Sequence, residues 1–218
     1  MFKSIVLWEI KGVPVERTAP IVIAERLTDV LGVVILIAAG SAWFSGGLPW
    51  AIAGASAVAV LLLFITIRPL GNLALGVLDR LFGGRPIVAK LRAAYDSLYE
   101  LARPQHLVLP TIISVGAWFL ECLALWVILV GFGEHVPVMG ASFFYATSTL
   151  AGALVPVPGG LGVTETLMVT LMKQMGNITP GADTGAMLLV RFATLWFAVV
   201  VGFVGLSLLR RRYKSLLR

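Results

Sequence analysis

Residues 30–67 read VLGVVILIAAGSAWFSGGLPWAIAGASAVAVLLLFITI, 38 positions without Asp, Glu, Lys, Arg or His. One membrane-spanning helix needs about 20 apolar residues, so the run holds two helices with a turn between them. Ser45-Gly46-Gly47-Leu48-Pro49 has the composition of that turn, and Pro49 can open the second helix. Trp43 and Trp50 flank it, as interfacial aromatics do. The whole chain has the same character. Of its 218 residues 59% are hydrophobic and 13% charged, against about 25% charged in a soluble domain, and mean hydropathy is +0.96. These values exclude a soluble globular domain and a disordered chain. Apolar runs that are continuous rather than alternating exclude a β-barrel. The expected fold class is all-α: a polytopic integral membrane protein with about four full spans plus a re-entrant, or short two-span, helical hairpin.

The chain reads as one transmembrane domain, 1–218. Residues 1–25 form a polar segment of mixed charge, without the features of a secretory leader, and 26–67 carry two spans. Residues 68–106 are basic. There Leu70, Leu73, Val77 and Leu81, then Val88, Leu91, Tyr95, Leu98 and Ala102, recur at helical spacing around Gly83-Gly84-Arg85-Pro86. Two readings stay open for them: amphipathic helices on the membrane surface, or a solvated loop packed on its own protein. A span follows at 107–132, a broken-helix hairpin at 139–177, a last span at 184–209 and a basic tail at 210–218. Segments 1–29, 68–106 and 210–218 hold 15 of the 17 Lys and Arg residues, and the turns at 45–49, 133–138 and 177–183 hold none. The positive-inside rule makes the three basic segments cytoplasmic, termini included. The net charge of +6 is therefore one of orientation, not of nucleic-acid binding. The lone Cys122 permits no intramolecular disulfide, and His106 and His135 lie far apart, so no metal or other cofactor is expected.

The hairpin is the most informative stretch. Its halves, Gly140–Leu154 and Leu161–Gly176, span about 23 Å each, short of the ~30 Å hydrocarbon core. The Pro156–Gly162 loop between them carries no Lys or Arg. A re-entrant hairpin entering from outside is expected, with two short spans and a kinked linker as the alternative. Irregular backbone at that depth needs protein cover or a wet cavity. A half-helix N-terminus pointing into such a cavity binds anions, and Pro158, Gly159, Gly160 and Gly162 would let a ligand approach the backbone. Glu165 either complements the dipole of the second half-helix or belongs to the site. Arg191 lies inside the last span, where ionisable residues are rare and face the bundle interior or a cavity. Counted along the helices, Glu165 lies about 9 Å and Arg191 about 10 Å below the outer boundary, so an ion pair or a shared ligand site is expected. Lys173 is expected to snorkel to the surface. Glu121 reads equally as a structural carboxyl or a cavity-lining one. Glu25 and Asp29 share a helical face and Arg26 lies about 100° around from it. Together they read as an interfacial charge cluster or as a cytoplasmic mouth for a charged headgroup.

Pro156-Val157-Pro158-Gly159-Gly160-Leu161-Gly162-Val163-Thr164-Glu165 resembles the P-G-G-L-G-x-x-E signature of the lysylphosphatidylglycerol synthase transmembrane-region family of flippase-like membrane proteins. Glu25-Arg26-x-x-Asp29, the basic middle region and Arg191-Phe192-Ala193-Thr194-Leu195-Trp196-Phe197 are similar to it as well. The resemblance implies a translocator of a phospholipid or lipid-linked headgroup in the cytoplasmic membrane, or a membrane subunit or transferase of a lipid or glycolipid pathway. It implies membrane lipids as partners, and a homo-oligomer or lipid-synthesis proteins as further ones. The chain is expected to correspond to the C-terminal part of the family domain, without its first helices. No soluble aminoacyl-transfer domain like that of bifunctional members and no recognisable catalytic set is expected here, so synthase activity is not carried over.

Overall fold

The computed structural model describes residues 15–44, 67–82, 104–155 and 157–212, together with residues 49, 52, 53, 55, 56, 59, 60, 92, 95, 96 and 99. Most of the expected second span, the turn before it, most of the second amphipathic helix, Pro156 and the end of the tail lie outside the described residues. Every regular element among those described is helical: α1 (Val15–Ser41), α2 (Arg68–Phe82), α3 (Pro104–Gly131), α4 (Val138–Leu154), α5 (Val163–Gln174), α6 (Ala182–Arg191) and α7 (Phe197–Arg212). A 3₁₀ turn, Pro158–Gly160, precedes α5, and a π turn, Phe192–Trp196, joins α6 to α7.

The protein is a helical membrane protein. Among the described residues two helices are long and apolar enough to cross a membrane, Leu107–Gly131 and the continuous Ala182–Leu209. Each turns one set of apolar side chains outward: Ile112, Leu120 and Val127 on α3, and Phe197, Val200 and Phe203 on α7, are all more than half exposed. Exposed apolar area of that extent suits lipid contact and not water. The helix that holds the expected start of the first span extends beyond it. Helix α1 begins at Val15, about three turns before Arg26. Glu25, Arg26 and Asp29 mark where apolar sequence begins, but charge does not interrupt an α-helical hydrogen-bond ladder.

Helix α4, expected as one half of a short hairpin, lies at the centre and packs against α1, α3 and α5. Phe143 and Phe144 have no exposed surface, and Phe44 stacks on both at 4.9 and 5.6 Å between ring centroids. Without a strong hydrophobic drive between helices in lipid, close backbone approach supplies the packing energy. Small residues permit it here: a Cβ on Gly40 would sit 2.7 Å from the Met139 carbonyl oxygen, and one on Gly32 3.1 Å from the Val115 nitrogen. The loops at one end are tied by Trp126, whose indole N–H donates to the Val136 carbonyl at 2.9 Å, and by Glu134, which accepts from the Thr179 N–H at 3.0 Å.

In the basic middle region α2 presents Leu73 and Val77 to the outside, 66% and 47% exposed, while Leu75 is buried. Its start is held to the following segment by the Arg68 guanidinium, 4.5 Å from the centroid of the Tyr99 ring. Among the described residues this region thus makes an internal contact at Arg68 and leaves Leu73 and Val77 uncovered on α2.

Candidate functional site

The chain after α4 cannot continue as a helix. Val155 and Val157 are extended, and Gly159, Gly160 and Gly162 have φ of +68°, +63° and +87°, a region open to glycine at little cost. The turn reverses direction in a few residues, so α5 starts beside the end of α4. Gly160 fits there because it touches backbone: its Cβ would lie 2.9 Å from Gly152 Cα. The space beside Gly160 is filled by Gly152 and Thr164, and that beside Gly159 by Leu195; only Gly162 has nothing within 4 Å of an added Cβ.

Glu165 and Arg191 meet. The Arg191 Nε–H donates to Glu165 Oε1 at 2.6 Å, and Nη2 donates to the Gly159 carbonyl at 2.7 Å. The Gly162 N–H donates to Glu165 Oε2 at 2.5 Å. The N-cap amide of α5, part of the helix terminus expected to bind an anion, is therefore served by the protein's own carboxylate. Both side chains are largely buried, Arg191 at 10% and Glu165 at 20% exposure. Charge-assisted contacts of this kind are worth about 1.5–3 kcal/mol each.

Arg191 forms part of the wall of a cavity of about 650 Å³, which Gly159, Gly160, Arg26, Glu121 and Tyr145 also line. Glu121 accepts a hydrogen bond from the Tyr145 hydroxyl at 2.6 Å, and Thr194 Oγ1 lies 3.2 Å from that hydroxyl. Thr149, one turn after Tyr145, also lines the cavity, and its hydroxyl is buried without a hydrogen-bond partner. The Arg26 side chain reaches the cavity while pairing with Asp29 at 3.2 Å and Glu25 at 3.7 Å. Glu25 and Asp29 themselves line a different groove between α1 and α3, where Ser114 donates to Asp29 at 3.1 Å.

The expected site residues thus divide. Gly159, Gly160, Arg26 and Arg191 share the main cavity. Gly162 and Glu165, with Arg191 again, line a second cleft. Glu25 and Asp29 lie in the third, and Pro158, the first residue of the turn, is in none of these walls. Tyr145, Thr149 and Thr194 escape a reading of the sequence. The sequence signal for them is weak, because Tyr145 and Thr149 stand on α4 among three further hydroxyl residues, Ser142, Thr147 and Ser148. Among the described residues no group of three or more His, Cys, Asp or Glu is placed to hold a metal. The buried Cys122 thiol lies 3.9 Å from the Ser142 carbonyl, away from this cavity's walls.

A charged pair inside an apolar bundle, a glycine-rich break and outer helices with exposed apolar side chains define a helical membrane protein with a cavity that Arg191, Arg26, Glu121 and Tyr145 line among apolar residues. The chain belongs to the family described as lysylphosphatidylglycerol synthase TM region, which it matches over residues 1–202. It is similar to a UPF0104 membrane protein of Methanothermobacter thermautotrophicus, 30% identical over 94 residues, covering 43% of this chain and 28% of the relative. It is also similar to a UPF0104 membrane protein of Methanocaldococcus jannaschii, 24% identical over 127 residues, covering 57% of this chain and 38% of the relative. The chain thus spans well under half the length of these relatives. No solved structure matches it.

Proposed function

We propose that the chain moves an anionic phospholipid or lipid-linked headgroup across the cytoplasmic membrane, with Arg191 as the group that receives the phosphate. The observation that carries this reading is the position of Arg191. It is a buried cation at the wall of a 650 Å³ cavity, held by one carboxylate and one carbonyl. A phosphate offers the same acceptor chemistry as Glu165 and can take its place on the guanidinium and on the Gly162 N–H. Glu165 then serves as the resident counter-ion of the empty site, and exchange between two acceptors keeps a bare cation out of the low-dielectric interior.

In this reading the three basic segments are cytoplasmic, four helices span the bilayer fully, and α4 and α5 form a re-entrant hairpin entering from outside. The outward side chains of its tip are apolar, Leu154 at 80%, Val157 at 39% and Leu161 at 46% exposure, which supports a place below the membrane surface. The exposed Leu73 and Val77 of α2 support a position against the inner leaflet. Proteoliposomes carrying a fluorescently tagged anionic phospholipid test the function through the rate at which label becomes accessible to a membrane-impermeant quencher. Loss of one charge-assisted contact of about 1.5–3 kcal/mol slows that rate roughly ten- to a hundredfold in Arg191→Gln. Wild-type liposomes no faster than protein-free ones, or an Arg191→Gln variant as fast as wild type, overturn the proposal.

A further inference from the structure

Arg191 has two sides. One borders the main cavity. The other closes a cleft of about 490 Å³ between the loop before α5 and the outer surface of α6, walled by Leu161, Gly162, Glu165, Leu188, Phe192 and Trp196. Arg191 is thus part of the wall of the main cavity, and the Glu165–Arg191 pair is the inner end of a mostly apolar cleft.

The cleft opens outward. Leu188 is 59%, Phe192 72% and Trp196 50% exposed. The π turn beginning at Phe192 makes the helix two-faced at this level: Arg191, Thr194 and Leu195 line the chamber, while Phe192 and Trp196 line the cleft. Single π turns within α-helices occur often at functional sites. A free polar solute has no use for an apolar cleft, and the polar contacts lie on the other side of Arg191, where Arg26, Glu121, Tyr145 and Thr149 line the main cavity beside Trp118, Val157 and Leu195. An amphiphile with an anionic head suits the junction, its charge at Arg191 and its chains along the cleft. We infer that this cleft is a lateral doorway, holding the acyl chains of an anionic phospholipid whose phosphate lies at Arg191. The inference rests on the proposed role of Arg191 and adds the route by which the lipid reaches it.

Trp196 reports on the doorway directly. The full chain is placed in phosphatidylcholine nanodiscs containing a small fraction of phosphatidic acid brominated along its acyl chains. Quenching at Trp196 is taken as the difference between wild type and Trp196→Phe. Brominated phosphatidic acid is expected to quench Trp196 several-fold more than the same fraction of brominated phosphatidylcholine, and this excess is expected to vanish in Arg191→Gln. Should that variant not fold, Glu165→Gln/Arg191→Gln serves, since it leaves no lone buried charge. Phosphatidic acid retained through detergent extraction is measured in parallel by mass spectrometry. Arg191-dependent retention without excess quenching at Trp196 overturns the doorway and leaves the role of Arg191 standing. Neither retention nor excess quenching overturns both.

Discussion

The Glu165–Arg191 pair makes an asymmetric prediction about stability. Glu165→Ala leaves the guanidinium, 10% exposed, with the Gly159 carbonyl as its one remaining acceptor. Removing one partner of a buried pair costs about 3–5 kcal/mol in a dry site, and the adjoining cavity brings this down to about 2–4 kcal/mol by letting water reach the charge. Arg191→Ala leaves a different remnant. Glu165 is 20% exposed, keeps the Gly162 N–H and sits in the first turn of α5, where the helix dipole favours a negative charge by about 0.3–1 kcal/mol. Its expected cost is about 1–2 kcal/mol, and the double variant, with no orphaned charge, is expected to cost less than the two single losses together by about 1.5 kcal/mol or more. Equilibrium unfolding by SDS titration in mixed micelles measures all three. Additive losses, within about 0.5 kcal/mol, would refute the coupling. Arg191→Ala costing more than Glu165→Ala would refute the account of the remnants.

Three further outcomes are expected. Gly160→Ala meets Gly152 backbone at 2.9 Å at a φ of +63° and combines overpacking of about 1–3 kcal/mol with left-handed strain of about 1–2 kcal/mol. Gly162→Ala, with nothing within 4 Å, meets the strain alone, so the same titration should rank Gly160→Ala as the more damaging. Tyr145→Phe removes the donor that Glu121 accepts and is expected to cost about 1–2 kcal/mol, most of it recovered in a Tyr145→Phe/Glu121→Leu double variant. Once Cys122 is replaced, a cysteine at position 90 should resist membrane-impermeant maleimide in intact cells while one at position 133 reacts; the reverse pattern inverts the proposed topology.

How much of this was legible in the sequence follows from what a membrane does to a helix. It aligns helices along one axis, so position in sequence converts to depth at 1.5 Å per residue. Glu165 and Arg191 could therefore be matched by counting, because charge in an apolar segment is rare enough to carry information by itself. Rotation about the axis is a separate quantity. For α1 it was legible, because Arg26 stands about 100° from the shared face of Glu25 and Asp29, and the structure sends the two sets into different cavities. For α3 and α4 it was not. Neither has a polar face that marks which side is inside, since the hydroxyls of α4, Ser142, Tyr145, Thr147, Ser148 and Thr149, are spread around the helix, and lipid and protein neighbours ask for the same apolar side chains elsewhere. Nothing in the sequence turns Glu121 toward Tyr145, and a tyrosine between Phe144 and Ala146 reads as one more apolar aromatic. The glycines show the same division. Positive φ at Gly159, Gly160 and Gly162 agrees with a Pro-Gly break, whereas the contact of Gly160 with Gly152 depends on how closely two segments pack. The Arg191 level of the chamber could thus be read from depth alone, while its Glu121–Tyr145 wall is a product of helix rotation.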